Sequence, residues 1–144
     1  MKIQNKRAKF DYSILHEYEA GIVLTGSEVR AVRDGRVSLN QSYAKFLHGE
    51  IYLVNAHFNI APQNEADATR SRKLLLHRKE IESIEHQMKA KKLTLIPLSL
   101  YTSGRFIKAR IGLARARKQV EKRQILRQKD IEREIERDLK DTKN

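Results

Sequence analysis

Apolar and polar positions alternate between Tyr12 and Leu24. Ile14, Tyr18, Ile22 and Leu24 share one face of an extended segment, and Glu17 and Glu19 fall on the other. The period then changes within two residues. Thr25 stands three positions before Glu28, the capping-box spacing that starts a helix, and Gly35 after Asp34 supplies a left-handed stop, so this helix is short. Val29 and Val32 give it one apolar edge, away from Arg30 and Arg33. Two hairpins are predicted downstream. Ser42 to His48 and Glu50 to Phe58 form the first, turning at His48-Gly49-Glu50, with Ile51 and Leu53 on one face and Tyr52 and Val54 on the other. Lys92 to Tyr101 and Arg105 to Ala114 form the second, turning at Thr102-Ser103-Gly104, where Ile107, Ala109, Ile111 and Leu113 alternate with Lys108, Arg110 and Gly112. Pro97 cannot donate to a ladder and marks an edge strand or a bulge.

Between the hairpins, Asn59 to Ala68 is polar with Pro62 near its start and reads as a mobile surface loop. Arg70 to Leu76 reads as an extended segment. His77 to Ala90 reads as a helix with Ile81, Ile84 and Met88 on one stripe against a sheet. These elements predict a mainly β fold: a small antiparallel Greek-key barrel of the oligonucleotide-binding (OB) type with flanking helices and a flexible C-terminal tail. Residues 1–114 are expected to form the barrel and 115–144 the tail. From 115 to 129, seven basic residues stand against Glu121 alone, giving +6, and from 130 to 144 four basic residues against six acidic ones give −2. Ile131, Ile135 and Leu139 make only a thin apolar edge, so the free tail is expected to be disordered or nascently helical, ordering when a polyanion neutralises its basic half.

Charge narrows the partner. Thirty Lys and Arg against eighteen Asp and Glu leave +12 on 144 residues, a balance that favours nucleic acid over an acidic small molecule. No apolar run approaches the ~18 residues of a spanning helix, and the amino terminus lacks a signal peptide's apolar stretch, so a soluble, cytoplasmic protein without a membrane partner is expected. The absence of cysteine removes disulfides, thiol catalysis and cysteine zinc sites. The five histidines share no register that would make them metal ligands, and no phosphate-cradling glycine loop or serine-nucleophile motif is present. No metal, cofactor or catalytic residue is therefore expected.

Three clusters carry candidate RNA chemistry. In an extended segment Arg70 and Arg72 project to the same side about 6.6 Å apart, with Lys73 beside them, close to the spacing of successive phosphates. From spacing alone, a solvated basic edge before a buried strand stands equally open. Asn5, Lys6, Arg7 and Lys9 precede Phe10 and Tyr12, and basic residues interleaved with aromatics suit a splayed RNA loop. Glu19 repels phosphate, so on such a surface it serves as an acceptor for base amino or imino groups. Paired with Glu17 it also permits a metal-nuclease reading, but no aspartate cluster accompanies the pair.

Asn5-Lys6-Arg7, Tyr12, Glu19-Ala20-Gly21, Gly35-Arg36-Val37-Ser38-Leu39, Ser42-Tyr43 and Thr69-Arg70-Ser71-Arg72-Lys73-Leu74-Leu75-Leu76, in this order, resemble the SsrA-binding protein (small protein B) family over nearly the whole chain. That resemblance implies that the N-terminal cluster, Glu19 and Leu75 contact transfer-messenger RNA at its tRNA-like elbow. It further implies support of alanine charging by alanyl-tRNA synthetase, and delivery to stalled ribosomes with elongation factor Tu, both acting through the RNA. Arg117, Lys118, Glu121, Lys122 and Arg123 resemble the family's tail motif, which enters the empty messenger channel near the decoding centre. Ala116 stands for the usual glycine, Val120 for a frequent His or Tyr, and Glu121 for Asp, so a ring that stacks on ribosomal RNA is missing here. A general single-strand RNA-binding or ribosome-associated accessory protein is the alternative reading.

Overall fold

The computed structural model describes residues 2–60 and 65–142. In chain order the elements are β1 (Lys2–Gln4), α1 (Ala8–Asp11), β2 (Tyr12–Ile22), α2 (Gly26–Arg33), β3 (Val37–Ser38), β4 (Tyr43–Leu47), β5 (Glu50–Val54), β6 (His57–Phe58), α3 (Glu65–Ala68), β7 (Arg72–Leu75), α4 (Arg78–Ala90), β8 (Thr94–Ser103), β9 (Phe106–Ala116) and α5 (Gln119–Thr142). The main sheet is antiparallel in the order β1-β8-β4-β5-β7-β2-β9, and β8 pairs with β9 as well, so the ladder returns on itself. β4, β5 and β7 follow one another and β2 returns beside β7, a Greek-key arrangement. The ring has a weak seam: β4 meets β8 through the single pair Ala44 and Leu95, so the barrel is not fully laddered.

Both predicted hairpins are present, with two corrections: the strand expected over Glu50 to Phe58 ends at Val54, His57–Phe58 pairing with β3 in a separate two-stranded sheet, and Thr102 and Ser103 belong to β8, which leaves Gly104 and Arg105 as the second turn. At the first turn His48 and Gly49 both take positive φ, 51° and 76°, the two-residue geometry that matches strand twist. Ile51, Leu53, Leu74, Leu95, Leu100, Ile111 and Leu113 fill the interior, and Val32 of α2 and Ile81 and Ile84 of α4 join the same core. Asn59 to Ala68 was expected to be a mobile loop; its residues 65–68 form α3, and 61–64 lie outside the described residues.

Two bulges redirect side chains. The register of β2 on β9 shifts between Ile14 and His16, which sends Ile14 to the opposite face from Tyr18 and Ile22. Tyr18, Ile22 and Leu24 pack on the barrel core, whereas Ile14 joins Tyr12, Leu98, Ile96, Ala8 and Ala114 in a second small cluster, under α1. The shared face expected of Ile14, Tyr18, Ile22 and Leu24 is corrected in that respect. The second shift, between Pro97 and Ser99, meets the expectation of a bulge at Pro97, and β8 is flanked by β1, β4 and β9 there rather than lying at an edge.

Helix α2 begins with the predicted capping box: Glu28 N–H donates to Thr25 Oγ1 at 3.3 Å, and Thr25 N–H to Glu28 Oε1 at 2.9 Å. The same carboxylate is fully buried and accepts from Arg70 and from Arg72. Arg72 is also fully buried. Its guanidinium donates to the carbonyls of Ala56 (3.1 Å), Arg70 (2.8 Å), Asp67 (3.2 Å) and Ala68 (3.1 Å), and lies 3.8 Å over the Phe58 ring. Burial opposes ionisation of Glu28, but the Thr25 N–H and the two arginines outweigh it and hold the carboxyl below its ordinary value.

A depressed carboxyl contributes stability that is complete above its unfolded value, near 4.3, and is lost as pH falls through the lower folded value. Wild-type melting temperature should therefore drop in acid below about pH 4.3, with Glu28→Gln less stable at neutral pH and flatter across that window. Glu28→Ala strands two guanidinium groups and should cost about 3–5 kcal/mol by urea denaturation.

Candidate nucleic-acid interface

Alternation along β2, β7, β8 and β9 turns one set of polar side chains outward. On β2 these are Glu17 and Glu19; opposite them on β9 stand Gly112 and Arg110, with Lys108 opposite Gly21. Tyr101 of β8 is opposite Lys108. On the other flank Gly21 pairs with Leu75 of β7, so Leu75 and Lys73 share this outward face. The result is one continuous surface of cations, two carboxylates and an exposed leucine.

Glu19 sits at its centre, held on both oxygens: Lys108 Nζ donates to Oε1 at 2.9 Å and the Tyr101 hydroxyl to Oε2. The Tyr101 hydroxyl first, and then Lys108, hold its carboxyl below the usual carboxylate range. Burial, and then the neighbouring carboxylate, push the Tyr101 phenol up, so it remains a donor. An ionised carboxylate can take about four hydrogen bonds, so two used by the protein leave acceptor capacity on an exposed group. Glu17 pairs separately with Arg110 at 3.5 Å. Each carboxylate thus has its own cation, and among the described residues no cluster of His, Cys, Asp and Glu is arranged to hold a metal ion.

Leu75 is 51% exposed although its neighbours Leu74 and Leu76 pack on the core. Gly21 accounts for its seat: a Cβ there would meet the Leu75 Cβ at 3.3 Å, tighter than an ordinary contact. Leu75 divides two shallow clefts. One, of about 330 Å³, holds Glu19, Lys108, Leu76 and His77; the other, of about 450 Å³, holds Ile22, Val29 and the exposed Phe106. An apolar side chain flanked by a fixed acceptor and an ammonium suits an unstacked base.

At the other end of the face, Asn5 is pinned to β8, its N–H to Leu98 O at 2.9 Å and its amide to Pro97 O at 3.0 Å. It borders a cleft of about 370 Å³ with Lys2, Lys6, Lys9 and Arg110. Arg7 points elsewhere, 3.6 Å from Asp11 and 5.5 Å from the Phe10 ring centroid. The root of the C-terminal helix docks on the same turn. Arg117 N–H donates to Asp11 O at 2.8 Å, Arg117 Nε to Lys9 O at 3.1 Å, and Lys122 Nζ lies 3.3 Å from the Asp11 carboxylate. Glu121 is held below its usual value by the Arg115 hydrogen bond, with Arg117 3.7 Å away. Lys118 and Arg123 are exposed, and so are Val120, Leu126, Ile131, Ile135 and Leu139 along the 24-residue α5.

The phosphate rail expected of Arg70 and Arg72 is not formed. Both arginines do share a side, but it is the inward one, because Arg72 has the parity of Leu74 and stands opposite the buried Leu53. Arg72 is enclosed, Arg70 is 36% exposed with its guanidinium on Glu28, and Lys73 alone of the three lies on the outward face, 3.8 Å from Glu50. Sequence reasoning missed Tyr101 and Lys108 as the groups that hold Glu19. Hairpin parity puts both on one face, but which strand lies next to β9 is not a local property.

A family profile described as SmpB protein matches residues 2–141. The SsrA-binding protein of Coprothermobacter proteolyticus is 46% identical, covering 95% of this chain and 95% of its own. That of Shouchella clausii is 43% identical, covering 96% of this chain and 90% of its own. A solved chain from "tmRNA-SmpB: a journey to the center of the bacterial ribosome" superposes with a TM-score of 0.67 at 41% identity, covering 82% of this chain and 85% of that one.

The hydrogen bonds to Glu19 generate a titration test. By carboxyl NMR, Glu19 should titrate below a model glutamate in the wild type, and Tyr101→Phe should raise its value toward the ordinary range.

Proposed function

Because the chain belongs to the SmpB family of SsrA-binding proteins, we propose that it binds the tRNA-like domain of transfer-messenger RNA and delivers it to stalled ribosomes for trans-translation, without catalysing a reaction itself. The observation that carries this reading is the outward face on which an ionised, doubly held Glu19 adjoins the exposed Leu75 and Lys108. Cations at Lys73, Arg110 and Lys6 flank that centre and suit a phosphate backbone, while Glu19 suits donors on a base edge. Alanyl-tRNA synthetase and elongation factor Tu are partners through the RNA they share with it.

Residues 1–114 act in this reading as the RNA-binding unit and 115–144 as a ribosome-binding tail. Its basic first half, with Arg117, Lys118, Lys122 and Arg123, would enter the messenger channel when no message fills it, drawn by ribosomal phosphate. Glu121, in the first turn of α5, would hold Arg115 of β9 and Arg117 of the connection against the start of the helix. Among the described residues no helix is long and apolar enough to cross a membrane.

Binding of the full chain to the tRNA-like domain, with excess elongator tRNA as competitor, tests the first half of the proposal. Glu19→Ala should weaken it about tenfold, the size of a lost base contact, and equal competition by elongator tRNA would favour general RNA binding instead. Lys73→Ala should weaken binding across sequences and reduce the salt slope by about one contact. Lys122→Ala with Arg123→Ala should leave that affinity near wild type and abolish peptide tagging on stalled ribosomes; retained tagging would sink the division of labour.

A further inference from the structure

The open side of α5 belongs to no site described above. Near its root the helix turns Lys122 toward the barrel, where it meets Asp11, and Ile125 three residues on is half-buried. At 100° per residue, Val120, Gln124, Gln128, Ile131, Ile135 and Leu139 fall on one stripe, about 120° round the helix from that contact. Its four apolar members are each more than half exposed. No glycine or proline interrupts Gln119–Thr142, so the helix is a single rod of about 36 Å, and from 126 to 140 every residue is exposed. A helix of this length with its apolar stripe in water draws little stability from packing on its own barrel.

The charges beside the stripe change sign along it. In the first half, Arg123 and Arg127 flank it on one side. In the second half, Asp130 and Glu134 take over that flank and Glu132 and Glu136 occupy the other, while Arg133 and Arg137 lie at the back. Counted along the chain, +6 over 115–129 gives way to −2 over 130–144. A stripe flanked by bases at one end and by acids at the other is complementary to itself, head to tail.

We propose that α5 is a self-association surface, and that it pairs antiparallel with the α5 of a second copy of this chain. A parallel pair would set one basic half against the other, which like charge opposes. An antiparallel pair about a two-fold axis sets Val120 against Leu139 of the second copy, Gln124 against Ile135 and Gln128 against Ile131, and brings Arg127 beside Glu134. Each contact occurs twice by symmetry. The two glutamines in the seam fix the register at a cost in affinity, so the pair is weak and reversible, in the class of interfaces below ~1,200 Å². Pairing neutralises part of the basic half with the second copy's carboxylates until a denser polyanion displaces them. This inference stands whether or not the RNA reading above holds.

The experiment is sedimentation equilibrium of the full chain from micromolar to submillimolar concentration. Average mass should climb toward twice the monomer, and Ile131→Asp with Ile135→Asp should stay monomeric. Arg127→Glu and Glu134→Arg should each raise the dimer dissociation constant about tenfold, and the two together should restore it, which a merely unravelled helix would not do. Because the chain has no cysteine, single cysteines report the register. Under mild oxidation Gln128→Cys, about 5 Å along the axis from its own copy, should form a disulfide dimer, and Gln124→Cys, about 16 Å away, should not. Cross-linking at both positions means a parallel pair and overturns the proposal, as does a charge swap that fails to restore the dimer. A monomer at every concentration overturns it too, and if Ile131→Asp with Ile135→Asp then loses co-sedimentation with vacant ribosomes, the face belongs to the ribosome instead.

Discussion

The Glu28–Arg72 ion pair joins four parts of the chain, with Glu28 lying 44 positions before Arg72. Glu28 belongs to the first turn of α2, Arg72 opens β7, the carbonyl of Ala56 comes from the connection between β5 and β6, and those of Asp67 and Ala68 come from the end of α3. Removing two charges from water is costly, and their attraction compensates only when the remaining hydrogen-bonding positions are filled. Here they are: every guanidinium nitrogen of Arg72 donates, Phe58 covers its face, and among the described residues no buried side-chain nitrogen or oxygen lacks a partner. An arrangement of this kind specifies as much as it stabilises.

What it specifies is the phase of β7. A slip of one residue would turn Lys73 into the barrel and Arg72 out, exchanging every side chain between faces. With Arg72 locked inward beside Leu74, Lys73 and Leu75 must face outward next to Gly21 and Glu19. The interior pair and the outward face that carries Glu19 are thus two sides of one constraint. The same economy appears on β2, where the bulge after Ile14 uses the outer face near Tyr12 for packing under α1 and frees it further on for Glu17 and Glu19.

Charge is distributed in a matching way. The outward carboxylates are each held by a neighbouring cation, so the surface presents oriented acceptors within a field that remains positive. Asp11 does a different job, anchoring the root of α5 through its backbone carbonyl and its carboxylate. Beyond that root the helix carries exposed isoleucines and leucines spaced among charges, a face that its own barrel does not cover.

Local chemistry was legible in the sequence wherever a short spacing decides the outcome. The Thr25–Glu28 capping box, the His48-Gly49 turn, the α4 stripe of Ile81 and Ile84, and the bulge at Pro97 each follow from residues within a few positions of one another, and the net charge that favours a polyanion follows from composition alone. Parity was legible too, in that Arg70 and Arg72 do share a side; which side it is depended on Leu53 across the ladder, and spacing carries no sign. Only the tertiary structure decided that Glu28 would serve as cap and counter-ion at once, and that Tyr101 and Lys108 would hold Glu19. The reason is physical: propensities, caps and turns act over a few residues, whereas ion pairing, burial and cross-strand contact act through space and exist only once the ladder order has been set.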